Sequence, residues 1–170
     1  MTPIATVRPL IIGSSTALEA PYPLQMQGKV IRGFGRGSKL LGIPTANLPV
    51  DDSLAPWIAD IEFGVYFGWA SLRLPPSCPN QATTSSDTIT HSGFSRSEHD
   101  EFEADFYGVE MRLLIAGFIR EERDYDDLRG LIADIRLDCD VARKSLDREA
   151  WALRETGNGT LDGSWLVRAE

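Results

Sequence analysis

A mainly β domain, α+β or a closed β-barrel, with one C-terminal helix is the fold class this sequence predicts. Three observations carry that expectation. Segments 25–32, 63–72 and 109–118 have the composition and the two-residue alternation of strands. Segment 126–153 changes to apolar spacings of three and four, the stripe of an amphipathic helix. Strands first and one long helix last do not suit the alternating order of a parallel α/β sheet.

In chain order, residues 1–20 read as an N-terminal extension, because Pro3, Pro9 and Gly13-Ser14-Ser15 break any period. Residues 21–155 form the domain, opened by Pro21 and Pro23, and 156–170 form a C-terminal tail. The strand at 25–32 runs into a glycine-rich loop at 33–38. Pro44 and Pro49 force extended geometry over 40–50, and Pro56 marks a short turn. In the strand GVYFGWASL, Gly64 and Gly68 suggest bulges or close packing. Over 75–100 only Cys78, Ala82, Ile89 and Phe94 are apolar, so 72–101 reads as a long disordered insertion or a defective segment. Val109, Met111, Leu113 and Ile115 share one face of the next strand. Asp124 or Asp126 is the expected helix cap.

Composition excludes several function classes. The 170 residues suit one domain, and 17 Lys and Arg against 25 Asp and Glu give a net charge of −8. That balance argues against nucleic acid, which needs cations for its phosphates. Apolar runs fall far short of the roughly 20 residues a membrane span needs. The first twenty residues lack the pattern of a secretory signal, so a cytoplasmic location is expected. Two cysteines and two histidines, without a C-x-x-C, argue against a disulfide scaffold or a structural zinc site.

Charge is unevenly spread. Residues 20–50 hold no acid but carry Lys29, Arg32, Arg36 and Lys39, together with Gly28, Gly33, Gly35, Gly37 and Gly42. A basic, glycine-rich island in an acidic chain suits a small anionic ligand approached by backbone N–H groups. The run GFGRGSKLLG (33–42) is neither a Walker A loop nor a G-x-G-x-x-G fingerprint. In PTAN (44–47), Thr45 and Asn47 place two neutral oxygens on one side of an extended segment. With nucleotide phosphates they suit Mg²⁺; alone, an Asx or ST turn reads as well. Arg120 and Arg123 in FIREERDY (118–125) suit either a clamp on a planar or phosphorylated ligand or a solvated connector.

Together GKVIRGFGRGSKLLGIPTAN (28–47), GVYFGWAS (64–71), DFYGVEMRLLIAGFIREE (105–122) and DYDDLRGLIADIRLDCDVAR (124–143) resemble the eukaryotic-type riboflavin kinase (flavokinase) family. The resemblance implies a six-stranded antiparallel Greek-key barrel with a C-terminal helix against it. It implies transfer of phosphate from ATP to riboflavin, giving FMN and ADP, with Mg²⁺ or Zn²⁺. It places Gly33, Lys39, Thr45, Asn47 and Tyr107 on ATP, Thr45 and Asn47 also on the metal, and Arg120 and Arg123 on the flavin. The implied partners are these small molecules, with no nucleic acid and no membrane, and a monomer is expected.

One segment departs from the family pattern. The family carries a G-x-N-P turn and an E-x-H strand whose glutamate takes the proton from the riboflavin 5′-hydroxyl. Residues 72–104 hold neither, and Glu98, in Arg96-Ser97-Glu98-His99, is the nearest acidic candidate for that base. The alternatives are a truncated gene product, an impaired family member that still binds flavin or nucleotide, and a rearranged segment in which Glu98 serves. A further reading is an interaction protein using strand 63–72 and the acidic helix.

Overall fold

The computed structural model describes residues 8–32, 46–50, 53, 55–74 and 106–167. Within them the strands are β1 (Leu24–Lys29), β2 (Gly64–Arg73) and β3 (Glu110–Glu121), forming one antiparallel sheet in the order β1-β3-β2. β3 is central. β1 lies along its first half, from Lys29↔Glu110 to Leu24↔Ile115, and β2 along its full length, from Arg73↔Glu110 to Gly64↔Glu121. The antiparallel sheet and C-terminal helix agree with the α+β expectation. The stretches 33–45 and 75–105, on which the rest of a six-stranded barrel would draw, lie outside the described residues.

Two irregularities bend β3. Along β2 the partner jumps from Arg120 to Phe118 between Val65 and Tyr66, and from Gly117 to Ile115 between Phe67 and Gly68. Ile119 and Ala116 are the extra residues, and such bulges increase local twist. Gly68 is required there, because a side chain would run into the Leu114 carbonyl and come 2.8 Å from Ile115 Cα. Leu114, Ala116 and Ile119 are buried, whereas Leu113 and Ile115 on the other face are half-buried.

α1 (Leu128–Leu146) covers the Leu114 face and buries Val141, Ala142 and Leu146 against Phe67, Trp69 and Leu114. Its cap is Asp127 rather than Asp124 or Asp126. Asp127 alone combines an extended backbone (φ −144, ψ 162) with a carboxylate accepting from Gly130 N at 2.8 Å. The helix also ends earlier than the stripe implies. After Leu146 the chain turns, and Arg148 O accepts the N–H groups of Trp151 and Ala152 at 2.9 and 2.8 Å. Trp151 and Leu153 are buried because these turns tuck beneath the sheet, not because the helix continues. Trp151 stacks on Phe67, with ring centroids 5.9 Å apart, and its carbonyl accepts from Trp69 Nε1 at 2.9 Å.

Both flanking segments are fastened to this core. Ile12 N donates to Ser145 Oγ at 2.9 Å, and Ile12 and Leu18 pack against the core cluster. Arg148 donates to the carbonyls of Ile12, Gly13 and Ser14, and its guanidinium lies 4.3 Å from the Trp151 ring centroid. Gly13 (φ +77) sits so close to the Trp151 indole that a Cβ would come within 2.5 Å of it. At the other end, α2 (Ser164–Val167) buries Leu166, whose carbonyl accepts from Ser71 Oγ at 2.8 Å. The turn expected at Pro56 is a 3-10 helix, Pro56–Asp60, pinned to β1 by Trp57 Nε1 donating to Gln25 O at 2.9 Å.

Candidate functional site

The sheet brings sequence-predicted residues together at two places, one at each end of β3. At its start the β1–β3 pairing runs on past Lys29: Val30 N donates to Val109 O at 2.9 Å, and Gly108 N to Val30 O at 2.8 Å. Gly108 turns the chain with φ +80, leaving Tyr107 at the rim, half-exposed. Ile31 N donates to Asn47 O at 2.8 Å in an isolated antiparallel bridge. That bridge brings together residues 31 and 47, which flank the stretch 33–45. Asn47 makes the bond through its backbone and is an exposed residue.

Arg32 completes the corner, with its guanidinium carbon 5.0 Å from the Tyr107 ring centroid. Among the basic residues of 20–50, Arg32 was not singled out as a site residue. The signal that could have found it is its place directly before Gly33 in the basic glycine-rich run. Of the predicted residues, Asn47 and Tyr107 stand here. Gly33, Lys39 and Thr45 lie outside the described residues, as does Glu98.

At the far end of β3 the predicted arginines meet helix α1. Asp134 and Asp138 are four residues apart and so share a helix face. Arg120 donates to Asp138 from Nε at 3.1 and 3.2 Å and from one terminal nitrogen at 2.8 Å. Its guanidinium is turned to the helix and buried. Burial pulls its pKa down, but the hydrogen bonds to Asp138 and that carboxylate's charge outweigh burial and hold it above the ordinary arginine value. Arg123 is the accessible cation, half-exposed and 3.7 Å from Asp134.

Two residues here were not foreseen. Arg8 pairs with Asp138 at 2.7 Å and with Asp134 at 3.0 Å. Tyr125 donates its hydroxyl to Asp134 at 2.7 Å. That hydrogen bond, and then the charge of Arg8, holds the Asp134 carboxyl below the ordinary carboxylate value despite partial burial. Nothing local in the sequence ties residue 8 to a helix some 130 positions on. On the same helix, burial pushes the Cys139 thiol up to about 11, away from the thiolate form.

Among the described residues, no three His, Cys, Asp or Glu side chains gather as metal ligands, and no helix is long and apolar enough to cross a membrane. The donor set PTAN offers is a hydroxyl and an amide oxygen. Hard, neutral oxygens fit Mg²⁺ with phosphates better than Zn²⁺, which favours nitrogen and sulfur.

Comparison with known proteins gives a consistent picture. A family model described as "Flavokinase: Riboflavin kinase" matches residues 20–146. The chain is 51% identical to a riboflavin kinase of Pyricularia oryzae, across 97% of this chain and 96% of that one. It is 44% identical to one from Neurospora crassa, across 95% and 97%. A crystal structure of riboflavin kinase from Trypanosoma brucei superposes with a TM-score of 0.51 at 21% identity, covering 75% of this chain and 82% of that chain, and so shares the fold. The Pyricularia oryzae alignment runs over 194 positions against 170 residues here, so at least 24 positions of that relative face no residue of this chain.

Proposed function

The chain belongs to the riboflavin kinase family, and on that premise we propose how it divides the transfer of phosphate from ATP to the riboflavin 5′-hydroxyl between the two ends of β3. The nucleotide lies at the Asn47–Arg32–Tyr107 corner and the flavin at the Arg123 end. The observation that carries this reading is the Ile31–Asn47 bridge. It supports a closed loop whose backbone N–H groups, with Gly33, Lys39 and Arg32, face polyphosphate, while Tyr107 lies beside the nucleotide.

Thr45 and Asn47 would hold Mg²⁺, which would supply neutralisation of the developing phosphate charge. Arg123 contacts the flavin, and Arg120 is the buried anchor of the loop that carries it. Positioning and charge neutralisation are most of what phosphoryl transfer asks of a protein. The remaining task is accepting the proton of the 5′-hydroxyl, which falls to Glu98.

A second reading, a flavin- and nucleotide-binding chain with impaired catalysis, is favoured by one observation. At least 24 positions of a close relative face no residue here, and a gap of that size within 72–104 would remove the E-x-H strand. A turnover assay with purified chain, riboflavin, ATP and Mg²⁺ separates the two. FMN formed at enzymatic rate supports the kinase, and Glu98→Gln is then expected to slow it by about 10²–10⁴-fold. Folded chain stabilised by ADP, Mg²⁺ and FMN without turnover supports the binder. Folded chain showing neither overturns both.

A further inference from the structure

The cluster at the end of β3 holds more charge than loop anchoring needs. Asp138 is met by two arginines from opposite directions, Arg120 from β3 and Arg8 from the N-terminal segment. Both guanidinium groups are withdrawn from water, with side chains 6% and 9% exposed, as is the Asp138 side chain at 6%. Asp134 is shared more widely. Arg8 lies 3.0 Å away, Arg123 3.7 Å and Arg120 4.0 Å, with the Tyr125 hydroxyl at 2.7 Å.

Counted as charges, Arg8 and Arg120 balance Asp134 and Asp138, and Arg123 is surplus. The Arg123 side chain is also the most exposed of the five, at 48%. We propose that Arg8 is a positioning residue for the flavin side of the site: by taking up most of the Asp134–Asp138 charge it holds Arg123 to a loose, half-exposed contact with Asp134 at 3.7 Å rather than closed onto it. This rests on the reading of Arg123 as the flavin contact.

The physical argument follows from what Arg8 removal leaves behind. Asp138 keeps its bidentate bond to Arg120, so the core end of the cluster holds. Asp134 loses its nearest cation and is left with only the longer contacts to Arg123 at 3.7 Å and Arg120 at 4.0 Å, a weaker compensation for a partly buried carboxylate. Arg120 is held by Asp138, so the replacement is Arg123. Drawn onto Asp134, it leaves the ligand side and takes with it the loop that Tyr125 ties to the same carboxylate.

A neutral residue 8 therefore weakens flavin binding through a residue it does not touch. A neutral residue 134 removes the carboxylate that captures Arg123, while an Asn oxygen still accepts from Tyr125. Riboflavin dissociation constants, read from quenching of flavin fluorescence on the full chain, test this whether or not the chain turns over. Arg8→Gln is expected to weaken riboflavin by about tenfold and leave ATP–Mg²⁺ binding within about twofold. Adding Asp134→Asn to Arg8→Gln should recover most of that loss, which a purely structural role for Arg8 would not produce.

Arg123→Ala guards the premise. If it leaves riboflavin affinity unchanged, the flavin reading of this loop fails. If it weakens binding while Arg8→Gln does not, or while the double variant stays as weak as Arg8→Gln, the role of Arg8 is overturned. Should Arg8→Gln not fold, Asp134→Asn alone decides: equal or tighter riboflavin binding is expected, and weaker binding overturns the proposal.

Discussion

Asn47 bonds Ile31 through its backbone and so holds the foot of a loop without using its side chain. Asn47→Ala should therefore leave thermal stability nearly unchanged while lowering kcat/KM for FMN formation by about 10²-fold, the cost of misplacing a reacting group. Loss of stability with unchanged kinetics would show that Asn47 serves only the bridge. Asp134 carries a pH prediction. Its folded carboxyl is held below the ordinary value of 3.8 by Tyr125 and Arg8. Its stabilising effect is thus complete above that value and is lost as pH falls through the lower folded value. Asp134→Asn should flatten the acid side of a plot of Tm against pH, from about pH 4 downward; an unchanged slope would assign the acid sensitivity elsewhere. At this scale the sequence was informative where chemistry is local. PTAN and the basic glycine run are contiguous motifs that a sequence displays, with 33–45 outside the described residues, whereas Arg8 gains its partners only when the N-terminal segment crosses the helix.

Among the elements, the strands were legible from their aromatic and β-branched composition and apolar alternation between Gly and Pro punctuation, although the buried apolar positions of β3 (Met111, Leu114, Ala116 and Ile119) do not keep that two-residue period. Their limits fall within a few residues of the expected ones. The helix was legible in kind but not in extent. Ala150 and Leu153 continue the spacing of Leu146, yet they pack from turns closed by Arg148 O, and burial in a turn leaves the same apolar letter as burial in a helix. The cap was ambiguous for a related reason. Asp124, Asp126 and Asp127 all have the right side chain, and only backbone geometry selects among them. Asp127→Ala should cost about 1 kcal/mol, or roughly 3 °C in Tm. Asp124→Ala and Asp126→Ala should shift it by less than a third of that, and equal shifts would refute the assignment of the cap. The two bulges left a trace in Gly68, but which strand carries the extra residue is a matter of pairing that one segment cannot reveal.

The molecule as a whole ties distant parts of the chain together. Arg8, Ile12 and Leu18 act on the helix and core, and Ser71 and Arg112 hold the carbonyls of Leu166 and Trp165 at 2.8 and 3.0 Å. Removing residues 1–18 should lower Tm by at least about 10 °C, because several buried contacts and the Arg8 ion pairs go together; a shift below about 3 °C would mean the segment is an ornament. The mutual dependence of the two chain ends has a consequence for synthesis. Arg148 supplies the donors that fix residues 12–14, Trp151 closes the core over Phe67, and Leu166 seals it. Protein chains emerge from the ribosome N-terminus first. A nascent chain of 120 residues therefore has its strands, with Ile12 and Leu18, but not the helix, Trp151 or Leu166 that complete the cover. Phe67, Trp69 and Leu114 stay incompletely covered until the chain has been made through Leu166, so the core closes only after the helix, Trp151 and Leu166 have all emerged.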